Sequence, residues 1–314
     1  MFVSFRQTIT ENGFAALNPV STSSSSCIYQ KAVSCCADPH DSFIATMASS
    51  NFHFSMLYGG DDRLTATARH QRYLFSKLAL KPGMRVLEVG CGVGDACFEL
   101  LHFMNVSVVG IDLDSDKINA ASMRALNGRV GGRAEFRCAD LYQLESEFGA
   151  ESFDAIYSIE SLKHCASFLI SYSTLGRLLR PGGMLGIYEW CWTASMNPLD
   201  ITHIQLAELF EEQTQIGHRS IFDRRIDCAT QTVQDTGVLR LKLAYIEDLA
   251  NRRSTSAWYA PLERALGQSA TVWSSDADGE GAFGDLTRSA AVFIAQAGRL
   301  KLFSPMILVV ACHL

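Results

Sequence analysis

The stretch from Arg85 to Asp112 constrains the fold more than any other, because a strand, a glycine turn, a helix and a second strand follow one another there without interruption. Arg85-Val86-Leu87-Glu88-Val89 reads as a short buried strand and Gly90-Cys91-Gly92-Val93-Gly94 as a tight turn. Asp95 to Phe103 then reads as a helix, and Val106 to Asp112 as the next strand. Glycine lets a backbone turn sharply and approach a ligand closely. This order of elements builds a nucleotide-type site at the carboxyl end of a parallel sheet, so the expected fold class is α/β, a Rossmann-like doubly wound sheet.

Charge selects among the ligands such a site can hold. A dinucleotide fingerprint wants glycine or alanine where this chain has Asp95, at the helix N-terminus that would receive a pyrophosphate, and a carboxylate there repels phosphate. A sulfonium cofactor carries positive charge and no phosphate, so Glu88 and Asp95 are compatible with S-adenosylmethionine. Asp112 lies where an acidic strand-end residue accepts ribose hydroxyls. The stretch therefore points to a class I methyltransferase.

Composition narrows the partners. With 48% hydrophobic and 19% charged residues, the 314-residue chain is globular rather than disordered. A net charge of -6 and the absence of a long lysine or arginine run argue against a nucleic-acid substrate. The 10 cysteines are scattered and follow no secretory signal, which suggests reduced thiols in an intracellular protein, cytoplasmic or peripheral to the endoplasmic reticulum membrane. Cys35 and Cys36 lack metal-ligand spacing, so no metal is expected. No apolar run approaches the ~18 residues of a membrane span, which leaves room for peripheral membrane contact and for an oligomer but not for a transmembrane segment.

Along the chain, residues 1–45 contain the run Ser21 to Ser26 and little apolar periodicity, and read as a flexible arm. Residues 46–190 read as the cofactor-binding core, and 191–314 as a helix-rich cap that returns to the sheet. Before the first strand come the aromatic cluster Phe52-His53-Phe54 and a helix from Leu64 to Leu78. Beyond Asp112 a helix from Asp116 to Asn127 leads to the strand Ala134–Ala139, whose end brings Asp140 and Leu141 to the adenine side. The strand Phe153–Glu160 delivers Glu160, Ser161 and His164 to the ligand crevice. Arg180-Pro181-Gly182-Gly183 ends a helix and turns into a strand from Met184 to Glu189, with Tyr188, Glu189 and Trp190 at the same edge. Leu199 to Thr214 has helical apolar spacing, Leu239 to Ile246 alternates as a strand, Ser274 to Gly284 reads as a loop, and Met306 to Cys312 as a buried last strand. Cofactor contacts are expected from Glu88, Gly90, Cys91, Gly92, Gly94, Asp112, Leu113, Asp140, Leu141 and Ile159.

From about Asn51 to its end the chain resembles the sterol 24-C-methyltransferases. The likeness is carried by Phe52-His53-Phe54-Ser55, Ala68-Arg69-His70, the Leu87–Gly94 segment, Tyr157-Ser158-Ile159-Glu160 with His164, Pro181-Gly182-Gly183, Tyr188-Glu189-Trp190 with Thr193, and Lys301 to Met306. The resemblance implies methyl transfer from S-adenosylmethionine to an alkene carbon of a sterol side chain, through a carbocation that then loses a proton. Such a reaction needs an apolar pocket, aromatic faces toward the cation and a base within reach of the departing proton. Phe52, His53, Phe54, Tyr188, Trp190 and Trp192 are the residues expected at the substrate, with Glu160, His164 or Glu189 as base.

The departures fall on the substrate side. Where the family has an aromatic and acidic run, this chain has Ala45-Thr46-Met47-Ala48-Ser49-Ser50. The family's glycine pair is Val93-Gly94-Asp95, its alanine-threonine-cysteine-histidine segment is Ser161-Leu162-Lys163-His164, and its glycine-aspartate-glycine is Gln213-Thr214-Gln215. These changes favour a terpenoid or other polycyclic acceptor over the usual sterol. They also keep three other readings open: an O-methyltransferase, a cyclase of a natural-product pathway, and a catalytically silent methyltransferase-like partner.

Overall fold

A computed structural model describes residues 53–128, 130, 132–165, 167–214, 216, 240–252, 255–267 and 288–314. The arm at residues 1–45, Phe52, the Ala45–Ser50 segment, Gln215 and the loop Ser274–Gly284 lie outside the described residues.

Among the described residues, seven strands form one sheet: β1 (Arg85–Val89), β2 (Ser107–Asp112), β3 (Ala134–Cys138), β4 (Phe153–Ile159), β5 (Leu179–Trp192), β6 (Leu241–Asp248) and β7 (Phe303–His313). Their order is β3-β2-β1-β4-β5-β7-β6. The first five pair in parallel, whereas β7 runs antiparallel to both β5 and β6. The order reverses between β1 and β4, the place where a doubly wound sheet opens a ligand crevice at its carboxyl edge.

Helices α1 (Arg63–Ser76), α2 (Asp95–Phe103), α3 (Ser115–Asn127), α4 (Leu144–Phe148), α5 (Phe168–Leu178), α6 (Ile201–Thr214), α7 (Ala260–Leu266) and α8 (Arg288–Arg299) accompany the sheet. Short polar side chains start several of them: Asp62 accepts the Thr65 amide ahead of α1, and Asp114 accepts those of Asp116 and Lys117 ahead of α3. Among the described residues no helix is long and apolar enough to cross a membrane.

The strands alternate with period 2, so each sends side chains into two separate cores. Val86, Tyr157, Tyr188, Trp190, Trp192 and Leu308 join one core with α1 and α2; Leu87, Ile156, Ile187, Cys191 and Ile307 join the other with α5. Strand β5 differs from expectation by starting at Leu179, where it pairs with Phe153 ahead of the Arg180–Gly183 turn, and by running on to Trp192. The interruption is absorbed as a register shift between Phe153 and Ala155.

Helix α1 lies directly on β5 because Gly186 has no side chain. A Cβ there would come within 2.7 Å of Leu78 Cδ2 and 2.9 Å of Leu74 Cδ1. A polar clasp ties the same helix to β6: Tyr73 and Tyr245 hydroxyls donate to Glu247 Oε2 at 2.7 and 2.5 Å, and Arg252 donates to Glu247 Oε1 and to the Tyr73 hydroxyl.

Gly186→Val should lower stability by about 1–3 kcal/mol, the usual cost of overpacking a core, because both leucines are wholly buried and have nowhere to withdraw. The urea midpoint measures this; an unchanged midpoint would mean that α1 does not seat on β5 as described.

Candidate active site

Strand β1 ends at Val89, and the backbone then passes through positive φ at Gly90 (+76°) and Gly92 (+52°). The amides of Gly90 and Cys91 both donate to the Ile111 carbonyl at 2.8 and 2.9 Å, and the Gly92 amide donates to Asp112 Oδ2 at 2.9 Å. Asp112 Oδ1 accepts the Asp114 amide at 3.0 Å, so this half-buried carboxylate holds the turn and the start of α3 together. A Cβ on Gly90 would sit 1.8 Å from Ser161 Oγ, whereas one on Gly92 would meet nothing within 4 Å. Gly90 is required by close packing. Gly92 leaves the backbone open to a ligand beside Asp112. Gly94 caps α2 at φ +85°, and the next residue, Asp95, pairs with Arg124 at 2.6 Å.

The other residues expected at the cofactor cluster at the same strand ends. Asp140, half-buried, accepts the Tyr142 amide at 3.0 Å and opens the 3-10 turn Leu141–Gln143. Leu141 and Ile159 are buried, and Leu113 is half-buried. Cys91 is buried beside the turn, and burial pushes its thiol pKa up.

Glu88, expected at the cofactor, is a buried carboxylate with two side-chain donors of its own. It is 3% exposed, and its Oε2 accepts from the Cys97 thiol at 2.7 Å and the Tyr157 hydroxyl at 2.8 Å. Alternation along β1 turns residue 88 toward α2 and β4, where the carboxylate still feels the charges of Asp95 and Asp112 beside the turn. Burial pushes its carboxyl up to about 8, with the two hydrogen bonds pulling the other way.

Glu160 stands at the end of β4 with φ +53°, left-handed for a non-glycine residue. Strict alternation after Ile159 would send residue 160 to the other face of the sheet; the left-handed backbone breaks the pattern. Its Oε1 accepts the Phe54 amide at 2.8 Å and its Oε2 accepts the Trp190 indole N–H at 2.9 Å. Burial raises its pKa to about 7, opposed by the charge of Lys163 and by these two bonds. The Lys163 ammonium lies 3.8 Å from the centre of the Trp190 ring. Phe54 meets Trp190 at 5.8 Å and Trp258 at 5.2 Å, both edge to face.

The remaining expected residues divide. Tyr188 is wholly buried, with its hydroxyl on the His70 carbonyl at 3.0 Å and its ring stacked on the His70 imidazole at 3.9 Å. Glu189 is also wholly buried but on the opposite face from Glu160, where the Tyr172 hydroxyl donates to its Oε1 at 3.3 Å. The two carboxylates are not brought together. His164 is exposed, and His53 is half-buried next to Phe54. Trp192 packs on Phe210 and Phe303 at 5.1 and 5.4 Å, as core.

Several contributors carried no signal in the sequence reading. Trp258 reaches Phe54 from a stretch that no sequence motif marks. Cys97 and Tyr157 are the partners of Glu88, and their spacing on α2 and β4 betrays nothing of it. His70 stood within a recognised segment without a role; it is wholly buried, and burial holds its imidazole well below its ordinary pKa.

Residues 80–251 match the family model described as a methyltransferase domain. The chain is 30% identical over 287 residues to the sterol 24-C-methyltransferase of Debaryomyces hansenii, covering 83% of this chain and 74% of that one. The same figures hold for the sterol 24-C-methyltransferase of Candida albicans. Among solved structures, geranyl diphosphate C-methyltransferase from Streptomyces coelicolor, determined with Mg2+, geranyl diphosphate and S-adenosyl-L-homocysteine, superposes with a TM-score of 0.67 at 14% identity, over 91% of this chain and 98% of that one. At that identity the likeness speaks for the fold.

Glu88 generates a pH prediction. With a folded pKa of about 8 and an unfolded value near the ordinary 4.5, the folded state keeps a proton that the unfolded state has lost between those limits. Its contribution to stability is thus largest below the lower limit and declines as pH rises through the window. Glu88→Gln, which keeps an acceptor oxygen for Cys97 and Tyr157, should flatten that decline. Urea midpoints from pH 5 to pH 8 measure it; parallel curves for the two proteins would refute the assignment.

Proposed function

The chain belongs to the sterol 24-C-methyltransferase family, and from that premise we propose that its acceptor is an alkene of an apolar polycyclic compound, a sterol or triterpenoid, methylated on carbon. It is an S-adenosylmethionine-dependent methyltransferase with a Rossmann-like α/β fold. The observation that carries the acceptor reading is the Glu160 carboxylate, buried among Phe54 and Trp190 at the carboxyl end of β4.

The donor set suits the cofactor. S-adenosylmethionine supplies an electrophilic methyl group on a sulfonium. Open space over Gly92 lets the backbone approach it, Asp112 has lone pairs left for ribose hydroxyls, and Asp140 can accept the adenine amino group. Asp95, at the start of α2 and paired with Arg124 of α3, puts a carboxylate where that helix end would otherwise receive a phosphate.

An alkene π pair that took the sulfonium methyl would break its bond to sulfur, which leaves as a neutral thioether, and would leave the neighbouring acceptor carbon positive; loss of a proton to a base then restores a double bond. Glu160 is suited to both needs: its negative charge offsets the cation, and its pKa of about 7 lets it take the proton near neutral pH. Edge-to-face packing around Phe54, Trp190 and Trp258 excludes water from the carboxylate and keeps its surroundings apolar. Tyr188 holds α1 to the sheet rather than facing the acceptor, and Glu189 acts on the other face. The reading includes peripheral contact with a membrane, where such acceptors reside; Leu199 and Ile201 before and within α6 are 90% and 63% exposed.

Labelled methyl transfer tests the reading, with sterols, linear triterpenes and polycyclic terpenoids offered beside a phenolic acceptor. Label in the apolar products is expected, together with inhibition by an ammonium analogue of the cation. Label in the phenol alone would overturn carbon methylation. Two variants separate the roles of the carboxylates. Asp112→Ala should weaken calorimetric cofactor affinity by roughly 1–3 kcal/mol, the cost of removing charged hydrogen bonds. Glu160→Gln should leave that affinity in place and lower turnover instead. Equal losses of affinity in both variants would remove Glu160 from the chemistry.

A further inference from the structure

Lys163 stands where the family's segment has a cysteine, and the structure places its ammonium on the ring of Trp190, the indole that donates to Glu160. It lies in the 3-10 turn Leu162–His164 that follows β4, half-buried, with its ammonium 3.8 Å from the centre of the Trp190 ring. The same indole donates its N–H to Glu160 Oε2 at 2.9 Å. A cation thus rests on the ring's face while an anion takes its edge. These two demands polarise the ring in the same sense, because charge drawn toward the face makes the N–H a stronger donor.

We propose that Lys163 is a positioning residue for Glu160, acting through Trp190: its ammonium clamps the indole and supplies the counter-charge for the buried carboxylate. The clamp also assigns the indole a different part from the one expected. With the Lys163 ammonium on its face, that face is committed within the protein, and the positive charge of an acceptor must be met by Glu160 itself. Among the described residues, the groups hydrogen-bonded to Glu160 are neutral. They are the Phe54 amide from the segment before α1, the Trp190 N–H from β5, and the Tyr188 carbonyl, which accepts the Glu160 amide at 3.1 Å. His164, next along the turn, is exposed. Lys163 is also the charge that opposes the upward push of burial on Glu160.

The catalytic half of this inference rests on the proposed methyl transfer, so the test has an arm that needs no acceptor. The Trp190 indole N–H resonance, assigned by its loss in Trp190→Phe, is followed against pH in the full chain. Glu160 titration should move it, with a midpoint that rises by about one pH unit in Lys163→Met, the usual scale for losing a nearby opposite charge. Lys163→Arg, which keeps a cation able to lie on the ring, should hold the original midpoint. In the turnover arm, the acidic limb of the kcat/KM profile should move upward by the same amount in Lys163→Met, with cofactor affinity unchanged. A midpoint unmoved in Lys163→Met overturns the proposal. So does an equal shift in Lys163→Arg, which would show that the lysine matters by its size. A shifted resonance in a protein that methylates none of the acceptors would sustain the clamp while removing the proposed acceptor class.

Discussion

Two adjacent acceptors at the end of β2 hold the functional edge in place. The Ile111 carbonyl takes the amides of Gly90 and Cys91, and the Asp112 carboxylate takes those of Gly92 and Asp114. Bonds of this kind contribute about 0.5–1.5 kcal/mol each, and more when the acceptor is charged. Their larger effect is geometric. They fix the left-handed turn that the glycines permit, and the turn in turn lets the Ser161 segment come against Gly90, closer than any side chain would allow. Since Glu160 and Lys163 flank Ser161, their seating depends on the turn that follows β1, the strand next to β4.

Much of this architecture was legible in the residues. The strand, turn and helix from Arg85 to Phe103 appear where the change from alternating to helical periodicity puts them, because local hydrophobic pattern and glycine conformation agree there. The carboxyl-edge position of Asp112, Asp140 and Glu160 followed from the parallel topology. What could not be read was direction. Glu88 sits in a ligand-type segment, yet its side chain belongs to the core, and only the partners Cys97 and Tyr157 reveal that. Glu160 and Glu189 look equivalent as acids at strand ends, but one joins Phe54 and Trp190 while the other faces Tyr172 across the sheet.

The left-handed backbone at Glu160 explains that last separation, and it has a physical cost. A non-glycine residue in this conformation costs on the order of 1–3 kcal/mol, and it persists where surrounding contacts over-determine it. Here those contacts are the Tyr188 carbonyl on its amide and two donors on its carboxylate. Glycine would relieve the backbone at this position and lose the acid. The chain thus combines strain, burial and a raised pKa on one residue, a concentration typical of groups retained for chemistry rather than stability.

The insertion of β7 between β5 and β6 bears on how the protein is made. During synthesis the ribosome releases β1 to β5 in an order that allows each new strand to find a parallel neighbour already formed, counting outward from β1. Among the described strands, β6 emerges next with its one sheet partner, β7, still unmade, since residues 303–313 come last. Until then the open edge of β5 and both edges of β6 present unpaired backbone, the kind of template on which nascent chains misassociate.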